Sequence, residues 1–233
     1  MDLPTTDLAK TDLAELDLTT AHLADACIRA NIPVRTATLT PVVPGTKVSG
    51  RVLPARHAGS VDIFLEAIER SEPGDVLVVD NDGRTDEACV GDLIVLEARQ
   101  AGLAGVVIWG LHRDTQDIRA IGLPVFSLGA NPTGPLSLRD RAPEALSTAE
   151  VGQWTVTSDD VVFGDDDGVL FVPASEVDAV LAKAAGIRDV ERAQAERVRQ
   201  GESLRSQLRF GEYLASGLTF REHLRKIGGA VEE

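Results

Sequence analysis

Residues 91–114 constrain the fold of this chain more than any other stretch. The segment opens with Gly91-Asp92-Leu93-Ile94 and carries a helical pattern from Ile94 to Gln100. It turns through Ala101-Gly102-Leu103-Ala104-Gly105 and enters the β-branched run Val106-Val107-Ile108. It closes on the polar loop Gly110-Leu111-His112-Arg113-Asp114. A helix that feeds a short, wholly apolar strand belongs to an α/β fold, because such a strand needs cover on both faces. Val76-Leu77-Val78-Val79 shows the same signature upstream. The helix–strand unit is expected to carry its two ends towards different edges of one sheet.

The loop that ends this unit brings two complementary groups side by side. Arg113 offers a planar fork of donors that suits a carboxylate. Asp114 offers a hard oxygen ligand of the kind Mg²⁺ or Mn²⁺ prefers. An anion fork beside a metal ligand suits a 2-oxo acid, whose carboxylate and keto oxygen need those two partners. Asp114 also has a plainer reading, as a first-turn carboxylate that stabilises a helix dipole. His112, one residue before Arg113, is a candidate acid or base if it faces the same cleft. Asp80-Asn81-Asp82-Gly83-Arg84 follows a buried strand, a usual address for a site in an α/β fold and equally the composition of a turn. Asp80 and Asp82 are therefore candidate supporting groups.

The chain has 233 residues, and 43% of them are hydrophobic, enough for a core in one domain with appendages. Lys and Arg number 23 against 37 Asp and Glu, a net charge of −14 that argues against nucleic-acid or anionic-membrane partners. Cys27 and Cys89 form no CxxC pair and fall on helical patterns among apolar neighbours, which reads as two buried thiols rather than reactive ones. No apolar run is long enough to cross a membrane, and the acidic start Met1-Asp2-Leu3-Pro4 lacks the pattern of a signal peptide. A cytoplasmic protein is the expectation. There is no Gly-rich phosphate loop, no GxSxG and no metalloprotease histidine spacing.

The remaining elements follow from periodicity and punctuation. Thr19 or Thr20 caps a helix that runs to about Ala30 and stops before Pro33. Val34 to Val43 reads as one strand and Lys47 to Leu53 as another, with Pro44-Gly45 turning between them. Ser60 is placed as the cap of a helix burying Ile63, Phe64, Ala67 and Ile68. Pro124 to Leu128 reads as a strand. Short strands are expected at Ala145-Leu146-Ser147, Trp154-Thr155-Val156, Val161-Val162-Phe163 and Val169 to Val172. Gly164-Asp165-Asp166-Asp167-Gly168 reads as a hairpin turn, although three adjacent aspartates also invite a metal reading. Ser175 and Asp178 are spaced as a capping box for a helix through Val177, Val180, Leu181, Ala184 and Ile187. Mixed charges run from Arg188 to Arg199, and Gly201 breaks the pattern. Large apolar residues then recur from Leu204 to Leu224, beyond the apparent core, placed to pack on a partner subunit or back on the domain.

Asp92, twenty intervening residues and then Arg113-Asp114 form a spaced motif. It resembles the RraA-like family, which includes the class II 4-hydroxy-4-methyl-2-oxoglutarate/4-carboxy-4-hydroxy-2-oxoadipate aldolases. The match extends to Thr20-Ala21-His22-Leu23-Ala24-Asp25-Ala26, to Pro73 through Asp80, to Leu123-Pro124-Val125-Phe126 and to Gly164 through Val169. The resemblance implies a layered α/β/β/α core similar to a swivelling phosphohistidine domain. It implies a catalytic domain over residues 18–174, an N-terminal arm over 1–17 and a C-terminal helical extension over 175–233. It also implies a homotrimer or homohexamer with the site between subunits.

By the same resemblance Arg113 binds the substrate carboxylate and Asp114 ligates Mg²⁺ or Mn²⁺. The backbone amides of Gly91, Asp92, Leu93 and Ile94 hold the pyruvate end, and Asp92 orients a water of the metal's shell. The implied activity is a lyase that cleaves a 4-hydroxy-2-oxo dicarboxylic acid to pyruvate through a stabilised enolate. Oxaloacetate decarboxylation passes through the same enolate and is expected as a second activity. Two positions depart from the aldolase pattern: Trp109, where Asp is usual, and His112, where a small apolar residue is common. They leave open a different oxo or hydroxy acid as substrate. The name-giving members of the family bind and inhibit a ribonuclease and lack the Asp after the Arg, so Asp114 favours an enzyme over a protein-binding regulator.

Overall fold

A computed structural model describes residues 16–228, so the expected N-terminal arm lies almost wholly outside the described residues. The first helix, α1 (Thr20–Arg29), begins at Thr19, whose hydroxyl accepts from the His22 amide at 3.3 Å while His22 Nδ1 accepts from the Thr19 amide at 3.1 Å. Histidine here fills the reciprocal role that Glu or Gln plays in a capping box. The expected strand from Val34 to Val43 is in fact two, β1 (Arg35–Ala37) and β2 (Thr40–Pro41). They are separate because each pairs with a different neighbour, β1 with β12 (Gly168–Pro173) and β2 with β8 (Val125–Ser127), both antiparallel. The chain crosses from one edge to the other at Thr38-Leu39, and Leu39 is buried in the crossing.

Strand β3 (Val48–Arg56) is followed by α2 (Asp62–Glu69), which is capped at Val61 with no side-chain bond rather than at Ser60. Asp62 in the first turn supplies the compensating negative charge. Next come β4 (Val76–Asp80), β5 (Ala88–Val90), α3 (Asp92–Gln100), β6 (Gly105–Trp109), β7 (Leu111–His112) and α4 (Thr115–Ile121). After β8 the expected strand at Ala145 is a turn instead. There the Ala145 amide bonds Ala142 O at 3.1 Å and the Ser147 amide bonds Glu144 O at 2.8 Å, local bonds that compete with any ladder. The strand starts later, as β9 (Ala149–Val151), and pairs with β10 (Trp154–Val156).

Strand β11 (Asp160–Asp165) turns through Asp166-Asp167 into β12 as the expected hairpin. The aspartates of this turn bind the protein itself. Asp165 accepts from the Thr20 amide at 2.7 Å and hydroxyl at 2.6 Å, and Asp166 accepts from the Gly45 amide at 2.8 Å. A short 3₁₀ turn (Ala174–Glu176) then leads to α5 (Val177–Arg199), capped at Glu176 without a side-chain bond, so the Ser175/Asp178 capping box does not form. Helix α5 runs unbroken for 23 residues and stops before Gly201, whose φ is +96°. Three short helices follow: α6 (Leu204–Gln207), α7 (Phe210–Ser216) and α8 (Phe220–Lys226).

Eight strands form one sheet in the order β1-β12-β11-β3-β4-β6-β8-β2, parallel through β3, β4, β6 and β8 and antiparallel elsewhere. Since β1 and β2 are neighbours in sequence, the two edges lie close and the sheet is curled. Period-two alternation sorts its side chains between cores. Val76, Val78, Val107, Phe126, Val162 and Phe171 point into the inner core. Leu77, Val79, Val106 and Ile108 point outward under α2, α3 and α4. Val161, Phe163, Leu170 and Val172 point outward under α1 and α5. The result is the layered α/β/β/α arrangement, a mixed α/β fold with C-terminal helices. Among the described residues no helix is long and apolar enough to cross a membrane.

The bond between Asp165 and the start of α1 ties the two ends of the fold together. Asp165→Ala leaves two donors of Thr20 without their acceptor, and a loss of about 2–4 kcal/mol in urea-unfolding free energy is expected. Added Mg²⁺ should leave the unfolding midpoint difference between variant and wild type unchanged. A difference that Mg²⁺ removes would restore the metal reading of the turn.

Candidate active site

The site rests on a two-stranded parallel ribbon. Strand β5 pairs with β7, Ala88 opposite Leu111 and Val90 opposite His112. The Arg113 amide continues the ladder to Val90 O at 3.0 Å. Parallel pairing sets both carboxyl ends side by side, so Gly91, which leaves β5, meets Arg113 and Asp114, which leave β7. The helix–strand unit therefore returns its ends to one ribbon, not to different edges of one sheet. The twenty-residue interval is the length of α3, β6 and their turns.

Gly91 is the N-cap of α3, so Asp92, Leu93 and Ile94 form the first helical turn, where amides lack intrahelical acceptors. A Cβ at Gly91 would stand 2.5 Å from Asp114 Oδ2 and 3.2 Å from Arg113 Nε, so a side chain there would displace the two groups from these positions. Asp114 precedes α4 with φ +59° and ψ +39°, and its side chain makes no capping bond. A non-glycine residue in the left-handed region costs on the order of 1 kcal/mol or more. The carboxylate makes no hydrogen bond to the helix it precedes, while its N-cap position keeps the dipole-stabilising reading standing beside the ligand one. Arg113 Nε lies 3.3 Å from Asp114 Oδ2, and both side chains are partly open, 47% and 36% exposed. Behind Arg113 lies Gly134, where a Cβ would meet Nη1 at 2.6 Å.

Gly91 and Arg113 border a cleft of about 400 Å³ lined also by Asp92, Ile94 and Glu97, with Val61, Leu65, Leu93, Leu96 and Pro135 as an apolar rim, and Asp114 stands beside it against Arg113. Cys89 also lines it, but burial pushes its thiol pKa up to about 12, and Cys27 is buried with its pKa raised for the same reason. Neither suits a nucleophile. Among the described residues no three His, Cys, Asp or Glu side chains cluster as a metal cage. Asp114 and Asp92 fit another kind of site: a hard divalent cation held by one or two carboxylates that completes its shell with water and substrate oxygens.

His112 does not join the cleft. It is buried, with Nδ1 2.8 Å from Ser127 Oγ and Nε2 2.9 Å from Thr115 Oγ1, and burial lowers its pKa. It braces β7 against β8 and α4 and is not placed as an acid or base. Asp80 and Asp82 also lie apart. Asp80 accepts from the amides of Asp82 and Glu150 at 2.8 and 3.1 Å and pairs with Arg56 at 3.2 Å, beside a separate cleft. Trp109 packs against Gly83, where a Cβ would stand 3.0 Å from its Nε1.

One residue of consequence escapes sequence reasoning. Glu87 is fully buried, accepts from the Leu136 amide at 2.7 Å and pairs with Arg84 at 3.0 Å. With the bond from the Ala88 amide to Thr133 O at 2.8 Å, it anchors the loop that sets Gly134 against Arg113. A glutamate before a short apolar run carries no local signal of burial.

The sequence model of a family described as RraA-like, Aldolase/RraA, matches residues 20–171. The protein DlpA of Legionella pneumophila is 29% identical over 179 residues, 73% of this chain, but the match spans only 29% of that longer protein. A Halalkalibacterium halodurans protein, provisionally named 4-hydroxy-4-methyl-2-oxoglutarate aldolase, is 29% identical over 64% of this chain and 70% of its own length. The crystal structure of Streptomyces coelicolor RraAS2, described as an unusual member of the RNase ES inhibitor RraA family, superposes with a TM-score of 0.69. It does so at 24% identity, over 84% of this chain and 98% of its own.

Burial lowers the pKa values of His112 and of His57, which stacks on Phe64 and bonds Asn81. Below the ordinary histidine value of 6.5 the unfolded chain takes up protons that the folded chain resists. Stability from this source is complete above pH 6.5 and falls as pH drops below it. Urea midpoints at pH 8, 6 and 5 should show a shallower acid decline for His112→Gln than for wild type. Parallel slopes would remove His112 from the account.

Proposed function

The chain belongs to the RraA-like family, and on that footing we propose that it is a divalent-metal-dependent carbon–carbon lyase releasing pyruvate from a 4-hydroxy-2-oxo acid, a dicarboxylic one by family resemblance. Residues 18–174 are its catalytic domain and the site is completed by a homotrimer or homohexamer. The observation that carries the reading is Asp114, held in a left-handed conformation, without a capping bond, against Gly91 and beside Arg113. Asp82 and Asn31 also stand at positive φ, so what supports the reading is the conformation together with the neighbours it brings to the carboxylate, Gly91 and Arg113.

Each group has a role that follows from its chemistry. Arg113 binds the substrate carboxylate with two parallel N–H donors and fixes the bond to be broken. The free amides of Asp92, Leu93 and Ile94, at the positive end of α3, donate to the pyruvate oxygens. Mg²⁺ or Mn²⁺ at Asp114 supplies Lewis-acid polarisation of the keto oxygen. Asp92 orients water beside it. As the C3–C4 bond breaks, the C4 hydroxyl gives its proton to water and becomes a carbonyl, the bond's electron pair moves onto the keto oxygen, where donors already in place stabilise it without reorganising, and a proton returned to C3 completes pyruvate. Losing CO₂ from oxaloacetate develops the same charge, so decarboxylation is a second activity of the site. The regulator reading, drawn from the RNase-inhibitor branch, uses a surface and has no need of the Asp114 carboxylate.

Pyruvate release from oxaloacetate should require Mg²⁺ or Mn²⁺ and exceed the metal's own blank rate. Asp114→Asn, which tolerates the left-handed region as Asp does, should lower kcat/KM at least 100-fold with little change in unfolding midpoint, and Arg113→Lys should act chiefly on KM, about tenfold or more. Folded wild-type protein with no turnover on oxaloacetate or on 4-hydroxy-2-oxo acids would sink the reading and leave the binding-protein alternative.

A further inference from the structure

The C-terminal helices form an arm that the core does not hold. Ile187 is the last residue in any of the three apolar cores among the described residues. Helix α5 continues for twelve more residues, about 18 Å. Its first turns beyond the core are tied to residues near α1, through Arg188 to Leu16 O, Arg192 to Asp17 and Glu191 to His22 at 3.2 Å. The contacts that shape the rest are internal. Phe210, Tyr213 and Phe220 pack with centroids 5.1 to 6.3 Å apart around buried His223, whose Nε2 bonds Leu208 O at 2.8 Å. Gln207 donates to Gln194 O at 3.2 Å, which folds α6 back on α5. A unit built this way has a shape of its own, and it exposes large apolar groups, Leu214 most of all at 70%.

Its charge is opposite to that of the body. Residues 188–226 hold nine Lys and Arg against six Asp and Glu, a net +3, which leaves −17 on the rest of a −14 chain. Residues 204–226 alone hold five basic and two acidic residues. The surface with the converse pattern is the outer face of α2 and α3. These two helices carry five carboxylates and one arginine, and with Arg70 and Arg141, which pair with Glu66, the face keeps a net negative charge; Leu65, Leu93 and Leu96 are exposed on it, Leu93 at 74%. Exposed leucines among carboxylates on one side and exposed leucines among arginines on the other are complementary in both apolar surface and charge.

We propose that the arm of one copy docks on the α2–α3 face of a second copy of this chain. Leu214 packs near Leu65 and Leu93, and Arg205, Arg209 and Arg221 lie against Asp62, Glu69 and Glu97. The contact is heterologous, arm to body, and such contacts close into rings when the rotation permits. Because Leu65, Leu93 and Leu96 also rim the cleft at Arg113, the docked arm walls the cleft of its neighbour. The inference extends the homo-oligomeric part of the proposed function and is independent of the chemistry assigned to Asp114.

The test uses the full chain with a photo-crosslinking p-benzoylphenylalanine at position 214. Equal parts of light and ¹⁵N-labelled protein are mixed, dissociated, reassociated and irradiated. Expected are heavy–light crosslinks from position 214 to α2 or α3. Light–light and heavy–heavy links alone, arm-to-arm links, links to any other surface, or a protein monomeric at about 50 µM would each overturn it. In parallel, Leu214→Asp and Arg205→Glu/Arg209→Glu should each raise the dissociation constant of the assembly about tenfold or more by sedimentation, the charge variant most strongly at low salt. Unchanged dissociation in both would overturn it as well. Oxaloacetate turnover at Asp114 is scored separately, so failure of the docking and failure of the lyase reading are told apart.

Discussion

The parallel pairing of β5 with β7 is the constraint on which the candidate chemistry depends. The ribbon is only two strands wide, yet its direction decides everything at its carboxyl end. Parallel strands need a crossover, and α3 with β6 supplies one. The crossover returns the chain beside its own start, and the bond from the Arg113 amide to Val90 O sets the register at that point. The start of α3 then abuts Asp114, and a side chain at position 91 would push Asp114 and Arg113 from their places. The helix dipole, the guanidinium and the unspent carboxylate converge because one ladder ends where it does. The same loop geometry holds Asp114 at positive φ, so the cost in backbone energy and the placement of the carboxylate have one cause.

The ribbon is steady because the curled sheet behind it is. Residues 35–41 pair at both edges of the eight-stranded sheet, so one short segment links its ends. The enclosed core takes alternate residues from most strands, and the two outer cores take the others. β6, which leads into β7, is buried from Gly105 to Ile108 and paired on both sides. A loop that leaves such a strand starts from a nearly immobile point, which is how an exposed pair such as Arg113 and Asp114 keeps its geometry.

Much of this was legible in the residues, for physical reasons that also mark where legibility ended. Val76–Val79 and Val106–Ile108 are apolar without alternation, and both are central strands covered on two faces. The Asp165–Asp167 turn was legible as a hairpin because its flanks are apolar and its last residue before β12 is followed by glycine. Local rules failed where tertiary pairing decided the outcome. Val34–Val43 has one strand's composition and two strands' partners, which only the crossing at Leu39 separates. Ser60 and Ser175 have the right chemistry for caps, but the helices start one or two residues beyond them. At the site, the identities of Gly91, Asp92, Arg113 and Asp114 could be named from the spaced motif. Their convergence could not, since periodicity gives strand direction only after the partner is known. His112 was misplaced because sequence adjacency to Arg113 says nothing of facing, and along a strand successive side chains point to opposite sides.

Electrostatics links the site to the acidity of the chain. Around the cleft Arg113 contributes one positive charge, and Asp92, Glu97 and Asp114 contribute three negative ones. A local balance of −2 repels an oxo acid, and the partial charge at the start of α3, worth about half a unit, does not reverse it. On the proposed reading, one divalent cation would bring the balance to zero and turn the same carboxylates from a barrier into a scaffold. On the proposed lyase reading the cation would serve the binding of the acid as well as the breaking of its bond. A cation held beside Arg113 would in this way let an acidic protein admit an anionic substrate at one place while the rest of its surface repels it.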